Sequence, residues 1–148
     1  MDSYQVRNNQ DGRRGLFVRL PIPAHTPIAR YDGDFLTVAD VGDKTKTHML
    51  RFPDGIYIND AKPLADNLYY DAFRNLWLPK NPDNYKRSYA GLVNAADTEE
   101  TANARLVLCV NDYVPRELST LLPPVAFLVT KRALNPDDEV LWHYTWKN

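Results

Sequence analysis

The sequence predicts a mostly β protein made of several short sheets, with one or two short helices, and two observations carry that reading. Eleven prolines are scattered along the 148 residues, so no regular element can run long. Short runs of apolar and β-branched residues recur between them, each bounded by Gly, Pro, Asn or Asp.

Taken in order, residues 15–20 read as a strand stopped by Pro21, and residues 27–31 as a second one turned by Asp32-Gly33. Residues 35–38 follow at once. Residues 47–52 and 56–58 flank Pro53-Asp54-Gly55, the pattern of a β-hairpin. Leu68, Ala72, Phe73 and Leu76 have helical spacing, which predicts a short helix within residues 64–78 that ends before Pro79. Residues 80–87 are polar and turn-rich. Residues 104–110 and 125–130 are strands separated by a connection holding Pro115 and Pro123-Pro124, and Val140-Leu141-Trp142 closes the series. No repeat or linker divides the chain, which predicts a single domain over 1–148 with an inserted helical or loop region at about 62–88.

Composition narrows the function. With 44% hydrophobic residues the chain can bury a core unaided. Eighteen basic against nineteen acidic residues leave a net charge of −1. That balance argues against direct nucleic-acid binding and against an anionic-membrane partner, since both draw affinity from neutralising phosphates. The single Cys109 forms no internal disulfide and no cysteine zinc cluster. His25, His48 and His143 lack ligand spacing, so no metal is expected. The first residues have no signal-peptide layout, and no apolar run approaches the ~20 residues of a membrane span. The expectation is a soluble intracellular protein, nuclear or cytoplasmic.

Four segments, in this order, resemble the SET domain of protein-lysine methyltransferases. The first is Gly12-Arg13-Arg14-Gly15-Leu16-Phe17, similar to a glycine-containing opening with "GLF", followed by Ile22 to Ile28 and by Tyr31-Asp32-Gly33-Asp34, like "Y-x-G-E". The second is Tyr57-Ile58-Asn59-Asp60-Ala61, like "yvIDA". The third is Gly91-Leu92-Val93-Asn94-Ala95-Ala96, in the place of "RFINHS", with Asn103-Ala104 for "pNA". The fourth, Asp137-Asp138-Glu139-Val140-Leu141-Trp142-His143-Tyr144, is similar to "GEEL-x-x-DY". The motifs span residues 12 to 144, and the missing histidine after Asn94 looks most like the divergent PR-type branch. The resemblance implies a β-clip, SET-like fold with a pseudoknot-like threaded carboxy terminus. It also implies S-adenosylmethionine as cofactor and a protein or peptide lysine as substrate, a histone tail by analogy.

Methyl transfer to lysine needs a neutral amine, and at pH 8 removing the proton of an ordinary lysine costs about 3 kcal/mol. An aromatic channel and a nearby sulfonium both disfavour the ammonium. By resemblance, Tyr144 is the catalytic tyrosine that orients the amine, and Tyr31 lines the lysine channel. Each also has a plain role as a packed, hydrogen-bonded aromatic. Gly12, Arg13, Arg14 and Gly15 form a turn whose backbone N–H groups are a sensible carboxylate cradle, with the arginines adding charge; a solvated β-turn is the alternative. Asn94 would contact the cofactor through side chain and backbone, and Ala95 through backbone. Glu139 reads as structural, and Asp97, Glu99 and Glu100 as a solvated acidic loop.

The sequence departs from the family at Arg13, Ala95, Asp137 and His143. Four residues follow Tyr144, where the family usually carries a post-SET segment. Three outcomes follow: Trp146 stacks on the adenine, another subunit supplies the wall, as in a homodimer, or the site stays open. The rival reading is a catalytically silent SET-fold protein-interaction module.

Overall fold

The computed structural model describes residues 3–42, 48–51, 57–81, 89–109 and 125–143. In chain order its strands are β1 (Tyr4–Asn8), β2 (Arg14–Val18), β3 (Pro27–Arg30), β4 (Asp34–Thr37), β5 (Met49–Arg51) and β6 (Tyr57–Asp60). After a one-turn helix, α1 (Lys62–Ala65), come β7 (Leu68–Asp71), β8 (Leu76–Pro79), β9 (Asn94–Ala95), β10 (Ala104–Cys109), β11 (Val125–Thr130) and β12 (Leu141–Trp142). They form three sheets, ordered β2-β1-β8-β7, β3-β11-β10-β12-β9 and β4-β6-β5. The mostly β expectation holds. Prolines act as expected, with Pro27 opening β3 and Pro79 closing β8. Antiparallel pairing of β5 with β6 agrees with the expected hairpin, whose turn lies outside the described residues.

One element differs. The helix expected within residues 64–78 is not formed; beyond α1 the chain makes the β7–β8 hairpin. Tyr69 and Tyr70 favour a pleated surface. Asp71 then folds the turn, its Oδ1 accepting from the N–H of Phe73 at 3.0 Å and of Arg74 at 3.3 Å, and Asn75 takes a left-handed φ of 50°. The hairpin is pinned to β1 by the Trp77 indole, which donates to Asn8 Oδ1 at 2.8 Å. Ala72 and Phe73, half of the helical pattern, lie exposed at its tip.

The core joins all of this. Leu16 and Val18 of β2, Leu50 of β5, Ala126 and Leu128 of β11, and Val140 are buried together. Thr130 closes β11 fully buried, yet its hydroxyl donates to Pro23 O and accepts from Thr26 N, both at 2.8 Å, so no polar group is left unsatisfied there.

The carboxy-terminal segment is the organising strand. It runs antiparallel along β2 and its extension, through Ile22 to Leu134, Asp137 to Val18 and Val140 to Leu16. It then enters the five-stranded sheet as β12, parallel to both neighbours, β9 and β10. Because β9 and β10 are successive in the chain and parallel, the connection 96–103 has to cross over the end of β12. Asn103 clamps that crossing. Its Nδ2 donates to Glu139 O and its Oδ1 accepts from Leu141 N, each at 2.8 Å, while its own N–H donates to Leu141 O at 3.0 Å. Among the described residues, no helix is long and apolar enough to cross a membrane.

Asn103→Ala leaves two part-buried backbone groups, Glu139 O and Leu141 N, without their side-chain partner, and is expected to cost about 1–3 kcal/mol. Urea denaturation of parent and variant reads this as a lowered midpoint at unchanged slope.

Candidate functional site

The β1–β2 connection is built by Asn9. Its Oδ1 accepts from the N–H of Asp11 at 2.9 Å and of Arg13 at 3.0 Å, and its carbonyl accepts from Gly12 N at 3.0 Å. Gly12 has φ 76°, with no atom near the place of a side chain, so glycine is needed there for its conformation. The loop is therefore closed on itself. The N–H groups of residues 11, 12 and 13 donate to Asn9, so those three are engaged within the loop itself.

Arg14 also differs from expectation. Its guanidinium donates to Ala65 O at 2.8 Å and stacks 4.8 Å from the Trp77 ring centroid, so its charge is committed elsewhere. Burial draws its pKa down, with Asp66 acting in the opposite sense. What Arg14 brings to the site is its carbonyl. Arg13, by contrast, is exposed, and among the described residues no side-chain partner holds its guanidinium.

The pieces meet at Glu139. Asn94 Nδ2 donates to Glu139 Oε2 at 2.8 Å and to Arg14 O at 3.0 Å; Asn9 Nδ2 donates to Glu139 Oε1 at 3.4 Å. Gly15 lies directly beneath. A Cβ built on it would stand 2.5 Å from Glu139 Oε2 and 3.0 Å from Asn94 Nδ2. With both amide hydrogens so engaged, Asn94 keeps its Oδ1 as the hydrogen-bonding atom left to offer. The locality is rich in acceptors and poor in backbone donors.

β12 pairs with β9 in register, Leu141 opposite Asn94 and Trp142 opposite Ala95. Ala96 N donates to Trp142 O at 2.9 Å, and His143 Nδ1 lies 3.4 Å from Ala96 O. The structure thus brings together Gly12, Arg13, Arg14, Gly15, Asn94 and Ala95. Tyr144 and Trp146 lie outside the described residues. Tyr31 is buried in the core, its hydroxyl donating to His48 O at 3.0 Å. Burial, then the charge of Arg14, depress the His48 imidazole's pKa, which favours its neutral form. The acidic residues 97, 99 and 100 are exposed, and Glu99 pairs with Lys131 at 3.2 Å. No group of three or more His, Cys, Asp or Glu is placed to hold a metal ion among the described residues.

Asn9 and the bridging role of Glu139 escaped the sequence reading. The one available signal was Asn9 two residues before Asp11, the spacing of an Asx-turn.

No protein-family model matches the chain, and no curated protein does. A crystal structure of KRYPTONITE in complex with mCHH DNA, an H3(1–15) peptide and SAH is similar. It superposes with a TM-score of 0.61 over 97% of this chain at 15% identity, and this chain spans 23% of that one's length. At that identity the likeness is one of fold. The chain has a mostly β, SET-like fold.

Gly15→Ala is expected to destabilise by about 1–3 kcal/mol through overpacking against Glu139. Gly12→Ala is expected to cost about 1 kcal/mol, from strain at positive φ alone. Thermal melts separate them if Gly15→Ala is rescued by adding Glu139→Ala while Gly12→Ala is not.

Proposed function

We propose that the chain is an S-adenosylmethionine-dependent protein-lysine N-methyltransferase acting on a lysine in an extended peptide. The observation that carries this is the meeting of the Gly12 loop, Asn94 and the strand leading to Tyr144 within a SET-like fold. The SAH and H3 peptide bound by KRYPTONITE support the same cofactor and substrate classes.

The chemistry of the donor set fits a zwitterionic amino-acid end. Asn94 Oδ1 and the carboxylate of Glu139 suit an ammonium, and the Arg13 guanidinium, which has no side-chain partner among the described residues, suits a carboxylate. Bound S-adenosylmethionine would supply an electrophilic methyl carbon. The protein's own work is positioning and desolvation. Tyr144, two residues beyond Trp142, would accept or donate a hydrogen bond to orient the substrate amine. Tyr31, buried and held by its bond to His48 O, would give the lysine channel a rigid aromatic wall. An amine in such a wall loses hydration as an ammonium, which favours its neutral, nucleophilic form. An extended substrate would add along an exposed sheet edge. Chromatin, with a histone tail as target, is the setting the neighbour's peptide supports.

One observation favours a second reading, a silent SET-fold interaction module: the loop amides that a cofactor carboxylate would use are already spent on Asn9.

Tyr144→Phe is expected to lower methyl transfer from labelled cofactor to histones or lysate proteins by about 10²-fold, with affinity for S-adenosylhomocysteine within about twofold of the parent. Equal methylation by parent and variant would remove Tyr144 from catalysis. A parent that shows no cofactor binding at millimolar concentration would leave the interaction module as the function.

A further inference from the structure

The four-stranded sheet opens between two of its strands. β1 and β8 pair at one position only, Val6 with Trp77. A half-open cleft of about 290 Å³ lies beside it, walled by Tyr4, Val6, Leu68, Trp77, Leu78 and Tyr89. That is near the lower end of small-molecule sites, which span about 300–1,000 Å³. The rings are held rather than loose: Tyr4 and Tyr89 meet edge to face at 6.1 Å, and Trp77 is anchored by its bond to Asn8.

The polar side chains are few: among the described residues they are Arg19, the tyrosine hydroxyls and Gln5, whose Oε1 accepts from Arg7 at 3.5 Å. Among the described residues Arg19 is the one charged residue lining the cleft, it is exposed, and no carboxylate pairs with it. The Tyr4 hydroxyl has no hydrogen-bond partner among the described residues, and burial raises its pKa, so it stays a neutral donor. A rigid aromatic slot with a guanidinium and a phenol as its donors matches an apolar body carrying one anionic head. A single guanidinium suits a carboxylate, which it binds in bidentate fashion. A phosphorylated lipid would call for a cluster of basic residues.

We propose that the cleft between β1 and β8 binds a small amphipathic carboxylate, its chain or ring lying on Trp77 and Tyr89 and its head at Arg19 and Tyr4. The site lies in the β1–β8 sheet, is lined by none of the residues assigned to the cofactor, and does not depend on the methyltransferase reading.

Calorimetric titration of the full chain with decanoate, below its micelle concentration, and with decan-1-ol tests this. Saturable, sub-millimolar decanoate binding at one site per chain is expected, several-fold tighter than for the alcohol. Arg19→Gln is expected to weaken decanoate about fivefold and leave decan-1-ol unchanged, the scale of an exposed ion pair. Leu78→Trp, which fills the slot, is expected to abolish both while the chain keeps its parent melting profile. Arg19→Gln leaves the core untouched, so it keeps the test valid if Leu78→Trp fails to fold. Absence of saturation, or equal decanoate affinity in Arg19→Gln, would overturn the proposal. So would concentration-dependent dimerisation lost in Leu78→Trp without decanoate binding, which would assign the cleft to a second copy of the chain.

Discussion

A half-buried carboxylate must be satisfied or it destabilises the fold, and Glu139 is satisfied by residues remote in sequence. One oxygen takes the amide of Asn94, the other that of Asn9 across 130 residues of chain, and Gly15 yields the space for Glu139 and Asn94. The joint decides local architecture on three sides. It fixes which way the Asn94 amide faces, ties the β1–β2 loop to the carboxy-terminal segment, and allows β2 to pass beneath without a side chain. A substitution at any of these positions is felt at the other three.

The same segment carries the topology. Residues 134–140 zip along β2, and β12 then slots between β9 and β10 under a connection held by Asn103. All of these contacts are long-range, so this closure has a high loop entropy cost and belongs late in folding. Its consequence for function is spatial. Trp142 and His143 lie beside Ala95 and Ala96, on the strand paired with Asn94.

Strands with a continuous apolar run were legible from residue pattern alone, as for β2, β10 and β11. β1 was not, because only Val6 of its five residues is buried, and its place depends on partners elsewhere. The β7–β8 hairpin carried a helical spacing by coincidence: two of the four residues in the pattern face solvent at the tip. At the site, Gly12, Gly15 and Asn94 were legible through motif order. The spent loop amides were not, since a glycine count does not show that Asn9 supplies the acceptor. Nor was the Glu139 bridge, which rests on cross-chain geometry that spacing does not encode. Arg14 was misread for a similar reason, its charge being drawn off by Trp77 and Ala65 O on elements far along the chain.

A double-mutant cycle between Asn94→Ala and Glu139→Ala, measured by urea denaturation, tests the joint most directly. A coupling energy of about 1–3 kcal/mol is predicted, the range for a hydrogen bond to a charged group. Effects that add to within about 0.5 kcal/mol would show that the two side chains act independently, and would contradict the account.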